Sequence, residues 1–139
     1  MKTGIAGVAL LLAAGLAGCQ WFAPRPEPVP GQAEVTVYRP GRLTAFSRSY
    51  TVELDGRAVA ELANGSYFRI GLAPGTHSFG IAGKPGLVWS ETLAADGRYY
   101  LQLDVRGLAP DYELALRRVE AAQAQAELKD LRELAPAAP

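Results

Sequence analysis

Very little in this chain is suited to catalysis or cross-linking. Its 139 residues include one cysteine, one histidine and one methionine. A single cysteine excludes an internal disulfide. A single histidine, His77, excludes zinc sites built on two histidines. No Gly-x-Ser-x-Gly elbow occurs, and no phosphate-binding glycine loop precedes a helix; the 15 glycines fall mainly in the first 18 residues and in turn pairs. Neither sign of charge is in excess, with 14 basic and 14 acidic residues. Without a clustered basic face there is no footprint for nucleic acid. No apolar run reaches the roughly 20 residues that cross a bilayer as a helix. These absences leave no catalytic constellation, no metal site and no implied cofactor.

The N-terminus is where the pattern is most specific. Lys2 gives a short positive start, and residues 5–16 are apolar or glycine, with Val8-Ala9-Leu10-Leu11-Leu12-Ala13-Ala14 at the centre. That length suits a signal-peptide core. Leu16-Ala17-Gly18-Cys19 follows. The tetrapeptide resembles the lipobox of bacterial lipoproteins, in which small residues admit the peptidase and the thiol takes the diacylglycerol. The resemblance implies removal of residues 1–18, lipidation of Cys19, and a membrane partner reached through that lipid. Two or three acyl chains anchor firmly at about 0.8 kcal/mol per buried CH₂, whereas one holds only marginally. Gln20 follows the cysteine. Aspartate there tends to retain lipoproteins at the inner membrane, so the resemblance implies the outer membrane where the cell has one.

Residues 19–32 read as a tether. Pro24, Pro26, Pro28 and Pro30 alternate with other residues, and proline disfavours helix both at its own position and at the one before it. An extended segment near polyproline II follows, with Trp21 and Phe22 beside the lipid, where amphipathic rings favour the headgroup zone.

Residues 33–135 carry the folded domain, and 136–139 are expected to be a disordered tail. Short alternating runs separated by turn pairs predict strands at 34–38, 49–54, 57–63, 66–71, 76–82, 87–93, 98–105 and 112–119. Asp55-Gly56 and Asn64-Gly65 predict two-residue hairpin loops, Pro74-Gly75 a type II turn, and Asp96-Gly97 a further turn. With the two tight loops, Val52 faces Val59 and Val59 faces Ile70, which puts Tyr50, Leu54 and Phe68 on the same apolar side. Thr51, Ala60 and Arg69 form the opposite row. So many one-sided strands predict two sheets packed face to face. The fold class is therefore all-β, an antiparallel sandwich of about eight short strands. The period changes after Val119. Ala121, Ala124, Leu128 and Leu131 recur at three and four, predicting a C-terminal helix over 120–133 that closes an open end or edge of the sandwich.

Several motifs together carry a broader likeness. The segments Val52-Glu53-Leu54-Asp55-Gly56, Asn64-Gly65-Ser66-Tyr67-Phe68, Pro74-Gly75-Thr76-His77 and Gly97-Arg98-Tyr99-Tyr100 resemble a family of small bacterial lipoproteins whose domain has no assigned function. More distantly, they are similar to PEGA-type surface β-domains. The likeness implies a β-sandwich on the cell envelope and carries over no catalytic residue.

Binding surfaces are the remaining expectation. The loop 39–49 places Arg39, Arg42 and Arg48 around Leu43 and Phe46. Long loops on rigid scaffolds often carry binding, and guanidinium forks suit carboxylates and phosphates. A solvated crossover between sheets is the plainer reading of the same loop. Tyr67 and Tyr100, if exposed, favour sugar stacking, and they are equally ordinary strand residues. His77, alternating with Phe79 and Ile81, reads as a hydrogen-bonded structural histidine. The sequence thus predicts a non-enzymatic envelope lipoprotein that meets a protein or, alternatively, a carbohydrate or peptidoglycan.

Overall fold

A computed structural model describes residues 27–45 and 47–139. The leader, Cys19, most of the tether and Phe46 therefore lie outside the described residues. Nine strands and one helix follow in order: β1 (Ala33–Arg39), β2 (Tyr50–Leu54), β3 (Arg57–Leu62), β4 (Ser66–Leu72), β5 (Gly75–Ile81), β6 (Lys84–Leu93), β7 (Arg98–Leu108), β8 (Asp111–Arg118), α1 (Ala121–Leu128) and β9 (Arg132–Leu134). They form two sheets, one with the order β8-β7-β1-β4-β9 and one with the order β3-β2-β5-β6. The fold is an all-β sandwich with a short C-terminal helix.

Turn chemistry explains the first hairpin. Asp55 and Gly56 both take positive φ, +49° and +83°, as a tight two-residue hairpin loop requires. Leu54 then pairs with Arg57 as predicted, but the pairing shifts one residue further on. Val52 opposes Ala60, not Val59. Val59 is the extra residue of a β-bulge, and its carbonyl accepts a hydrogen bond from the amide of Ala137 at 2.7 Å. The bulge thus turns a backbone acceptor out of the ladder and ties down a tail expected to be disordered.

The second hairpin is corrected outright. β3 and β4 belong to different sheets, and β4 pairs with β1, Val35 opposite Ile70. At this turn only Gly65 has positive φ. Its twist does not bring the chain back alongside itself, and the chain crosses to the other sheet. The alternation still points the right way, since Val52, Val59, Phe68 and Ile70 all join one buried core.

Two further corrections concern direction. The five-stranded sheet is not purely antiparallel: β1 runs parallel to β7, and β4 parallel to β9. The predicted helix is also shorter. It stops at Leu128, and Arg132–Leu134 form β9 instead. No glycine or proline ends it. The Arg132 amide bonds the carbonyl of Gly65, so strand pairing at the β4 edge replaces helical hydrogen bonds.

The five-stranded sheet is buried on both faces. Its inner face packs Val35, Val37, Phe68, Leu101 and Leu103 against Val52, Leu54 and Phe79 of the other sheet. Its outer face carries Tyr38, Tyr67 and Tyr100, which form a second cluster with Val119 and Ala124, flanked by Leu128 and Leu131. The helix covers this outer face. Central strand β7 is accordingly buried continuously from Tyr99 to Val105, as a strand covered on both sides must be.

Candidate functional site

The six residues expected to share one binding surface divide between two places. Arg39, Arg42 and Arg48 mark the end of the sandwich opposite the start of β1. Tyr67 and Tyr100 lie beneath α1. Phe46 is outside the described residues.

Arg39 is corrected first, because it is only 2% exposed. Its guanidinium donates to the carbonyl of Ala45 at 2.7 Å and to that of Arg48. It also lies 5.1 Å from the centre of the Tyr50 ring. Burial lowers its pKa, with the Tyr50 charge opposing. Arg39 therefore presents no fork to a ligand. It holds the loop closed from inside, and two orphan carbonyls are satisfied by one planar cation.

That internal clamp gives the loop an ordered outer surface. The Arg42 amide donates to Asn64 Oδ1 at 3.0 Å, and its side chain lies 3.8 Å from Asp104 Oδ1. Arg106 donates to the other oxygen of the same buried carboxylate at 2.7 Å. Arg48 lies 5.0 Å from the centre of the Tyr112 ring on β8. The loop is thereby joined to the β7–β8 hairpin, which reaches the same end because β7 runs parallel to β1. At this end Leu43 is 94% exposed and Leu108 is 83% exposed. Leu43, next to Arg42 on the loop, and Leu108, two residues past Arg106 on the hairpin, form the candidate interaction surface. The loop does cross between sheets, as its plainer reading predicted.

Tyr67 and Tyr100 are corrected as stacking platforms. They are 5% and 8% exposed, and Tyr67 donates to Glu133 Oε2 at 3.1 Å. Nearby, Gln102 donates to Glu127 of the helix at 2.6 Å and accepts two hydrogen bonds from Arg117. Partial burial works against ionising Glu127. Hydrogen bonds from Gln123 and Gln102, the Tyr38 hydroxyl and the charge of Arg117 outweigh it and lower its pKa. Burial, then Glu127, pushes the Tyr38 phenol up. This polar layer docks α1 and was invisible in sequence, since its members are 15 to 25 residues apart along the chain. Two clefts are lined by the tether residues Glu27 and Pro28. One, of about 570 Å³, lies between the tether residues Pro28 and Val29 and the C-terminal tail. The other, of about 640 Å³, lies beside the last turn of α1.

His77 bears out its structural reading. Nδ1 lies 2.8 Å from Asp55 Oδ2, and Nε2 lies 2.8 Å from the carbonyl of Ala73. A carbonyl only accepts, so Nε2 carries a proton, and a carboxylate facing Nδ1 favours a second one. The hydrogen bond to Asp55 raises the His77 pKa against partial burial, with help from Ala73. The same bond, with one from Ser78, lowers the Asp55 pKa. The stabilisation from His77 is full below its unfolded value of 6.5 and is lost as pH rises through the higher folded value. That from Asp55 is full above 3.8 and is lost as pH falls through the lower folded value. The pair therefore stabilises most between about pH 4 and 6.5. Asp55 is half exposed, so the effect is below about 1 kcal/mol. The urea midpoint should fall between pH 6.5 and 8.5 in the native chain and less so in His77→Gln. Equal slopes would refute the assignment. With both ring nitrogens occupied, His77 has none free to act as a base.

Compared with protein-family models, curated proteins and solved structures, the chain matches none.

Proposed function

We propose that this chain is a lipid-anchored envelope lipoprotein whose sandwich is a non-enzymatic interaction module, working through the end farthest from the tether. The observation that carries the reading is the exposure of Leu43 and Leu108 at one end of the fold, the first on a loop clamped from within by Arg39 and the second at the tip of the β7–β8 hairpin. Exposed leucines cost solubility, and a clamped loop and a tight hairpin that keep them in water are best understood as a prepared contact. Arg42, Arg48 and Arg106 around them add donors for an acidic or polar rim. The leader supports the other half of the reading. An apolar run followed by Leu16-Ala17-Gly18-Cys19 places a lipid at one end of the chain and leaves the opposite end of the domain free, on the outer membrane where the cell has one.

The carbohydrate alternative drew on Tyr67 and Tyr100, and both are covered by α1, so it has the weaker support. Cys19→Ala should abolish palmitate labelling and move the chain from the membrane to the soluble fraction. A benzophenone side chain at Leu43 or Leu108 should give a discrete envelope protein adduct. That adduct should weaken at least about tenfold in Arg42→Glu/Arg48→Glu, given the usual coupling of rim charges to association. A soluble, unlabelled native chain would end the anchor reading. Capture of cell-wall sacculi in place of a protein would exchange the partner class.

A further inference from the structure

The cleft of about 640 Å³ beside α1 is not used by the reading above. Its size falls in the range of small-ligand sites. It opens on the tether half of the outer sheet face, with Glu34 and Arg98 at the starts of β1 and β7, Lys129 just past the helix, and Glu27 of the incoming tether on its wall. We propose that it binds the headgroup of a zwitterionic phospholipid, a phosphodiester with an ammonium a few ångströms away.

The argument is one of charge. Arg98 and Lys129 form no ion pair with any carboxylate among the described residues, and neither do Glu34 and Glu27. Glu34 is the register neighbour of Arg98 in the parallel β1–β7 pair, yet the two side chains form no ion pair. Arg69 also lines the cleft but lies 3.6 Å from Glu133, so its charge is already paired, and the other four charges, two of each sign, face the cleft without an ion pair. A simple anion meets repulsion from Glu34 and Glu27, and a simple cation meets repulsion from Arg98 and Lys129. A ligand carrying both charges satisfies both pairs. Leu128 and Leu131 add an apolar strip for a glycerol backbone. The source follows from chain length and rests on the lipoprotein reading. Glu27 is eight residues from Cys19, at most about 29 Å of fully extended chain, so bilayer headgroups lie within reach.

The test uses the full chain in neutral detergent, titrated by calorimetry with glycerophosphoethanolamine, inorganic phosphate and ethanolamine. Glycerophosphoethanolamine should saturate with a Kd of about 1 mM or below and bind at least about tenfold more tightly than either part. Arg98→Gln/Lys129→Gln should weaken it by at least about tenfold. Both residues are exposed, so the variant should keep the native melting curve. In membranes, a benzophenone at Gln125 should capture phospholipid, which separates a bilayer source from a free phosphodiester. Equal binding of phosphate alone, unchanged affinity in the variant, or only protein adducts at Gln125 would overturn the proposal. The mass of the Cys19 peptide from the same preparation distinguishes the two failures. A lipidated chain that does not bind loses only the cleft, and a bare thiol on a chain that binds loses the anchor and the bilayer source while keeping the cleft's zwitterion chemistry.

Discussion

Arg39→Ala should lower the unfolding free energy by about 3–5 kcal/mol, the range for removing one partner of a buried charged network. The guanidinium makes two charge-assisted bonds, to Ala45 and Arg48, each worth about 1.5–3 kcal/mol when the acceptor is left buried. It also fills the space beside Tyr50. Arg39→Met keeps most of the stem and should recover only the packing share. Arg39→Lys should recover little, because one ammonium cannot reproduce the diverging geometry of a planar fork. Urea unfolding followed by circular dichroism checks all three. If alanine costs less than about 1 kcal/mol, the level of an ordinary surface change, the arginine is not the clamp described. The same variant should also abolish the Leu43 adduct, since an unclamped loop must pay ordering entropy on binding.

Deleting residues 121–139 should be the other severe change. It removes α1 and β9, uncovering Tyr38, Tyr67, Tyr100 and Val119 on the outer face. It also leaves the β4 edge unpaired at Ser66, Tyr67 and Phe68. The lost burial of Ala124, Leu128, Leu131 and Leu134 comes to about 4–8 kcal/mol at roughly 1–2 kcal/mol per side chain. Domains of this size have about 5–15 kcal/mol in total, and an open edge beside an apolar face invites pairing between chains. The truncated chain should therefore aggregate or unfold at ambient temperature. Leu128→Ala/Leu131→Ala should be milder, at about 2–4 kcal/mol, and should remain monomeric by analytical ultracentrifugation. A truncated chain that stays monomeric with a native melting curve would show that the helix is an accessory, not a layer of the fold.

Much of the fold was legible because local chemistry fixes local geometry. Asp55-Gly56 announced a hairpin, and both residues adopt the left-handed backbone that makes one. Alternation in 49–54, 66–71 and 98–105 named the side chains that now form the core. Other features were not legible. Asn64-Gly65 has the same composition as a hairpin loop, yet only its glycine is left-handed, and the chain changes sheets there. The apolar row through Val52, Val59 and Ile70 was consistent with a three-strand meander, but it tested only which side of each strand faces inward. Period-two alternation is the same whichever strand lies alongside.

The candidate site divides along the same line. Arg39, Arg42 and Arg48 are equivalent in sequence, three arginines in one loop. The positions of Ala45 and Arg48 carbonyls relative to Arg39, a long-range matter of where β1 ends and β2 begins, make the first a buried clamp and leave the others outside. Tyr67 and Tyr100 were equally ambiguous until α1 came to rest on them. The order of residues alone settled strand positions, inward faces, the Asp55-Gly56 hairpin and the existence of a C-terminal helix, because each depends on neighbours within a few residues. Sheet membership, parallel pairing, the ninth strand and the burial of Arg39, Tyr67 and Tyr100 were decided only by tertiary structure. Each depends on groups far apart in the chain that meet when two sheets and a helix pack, and that meeting leaves no local trace.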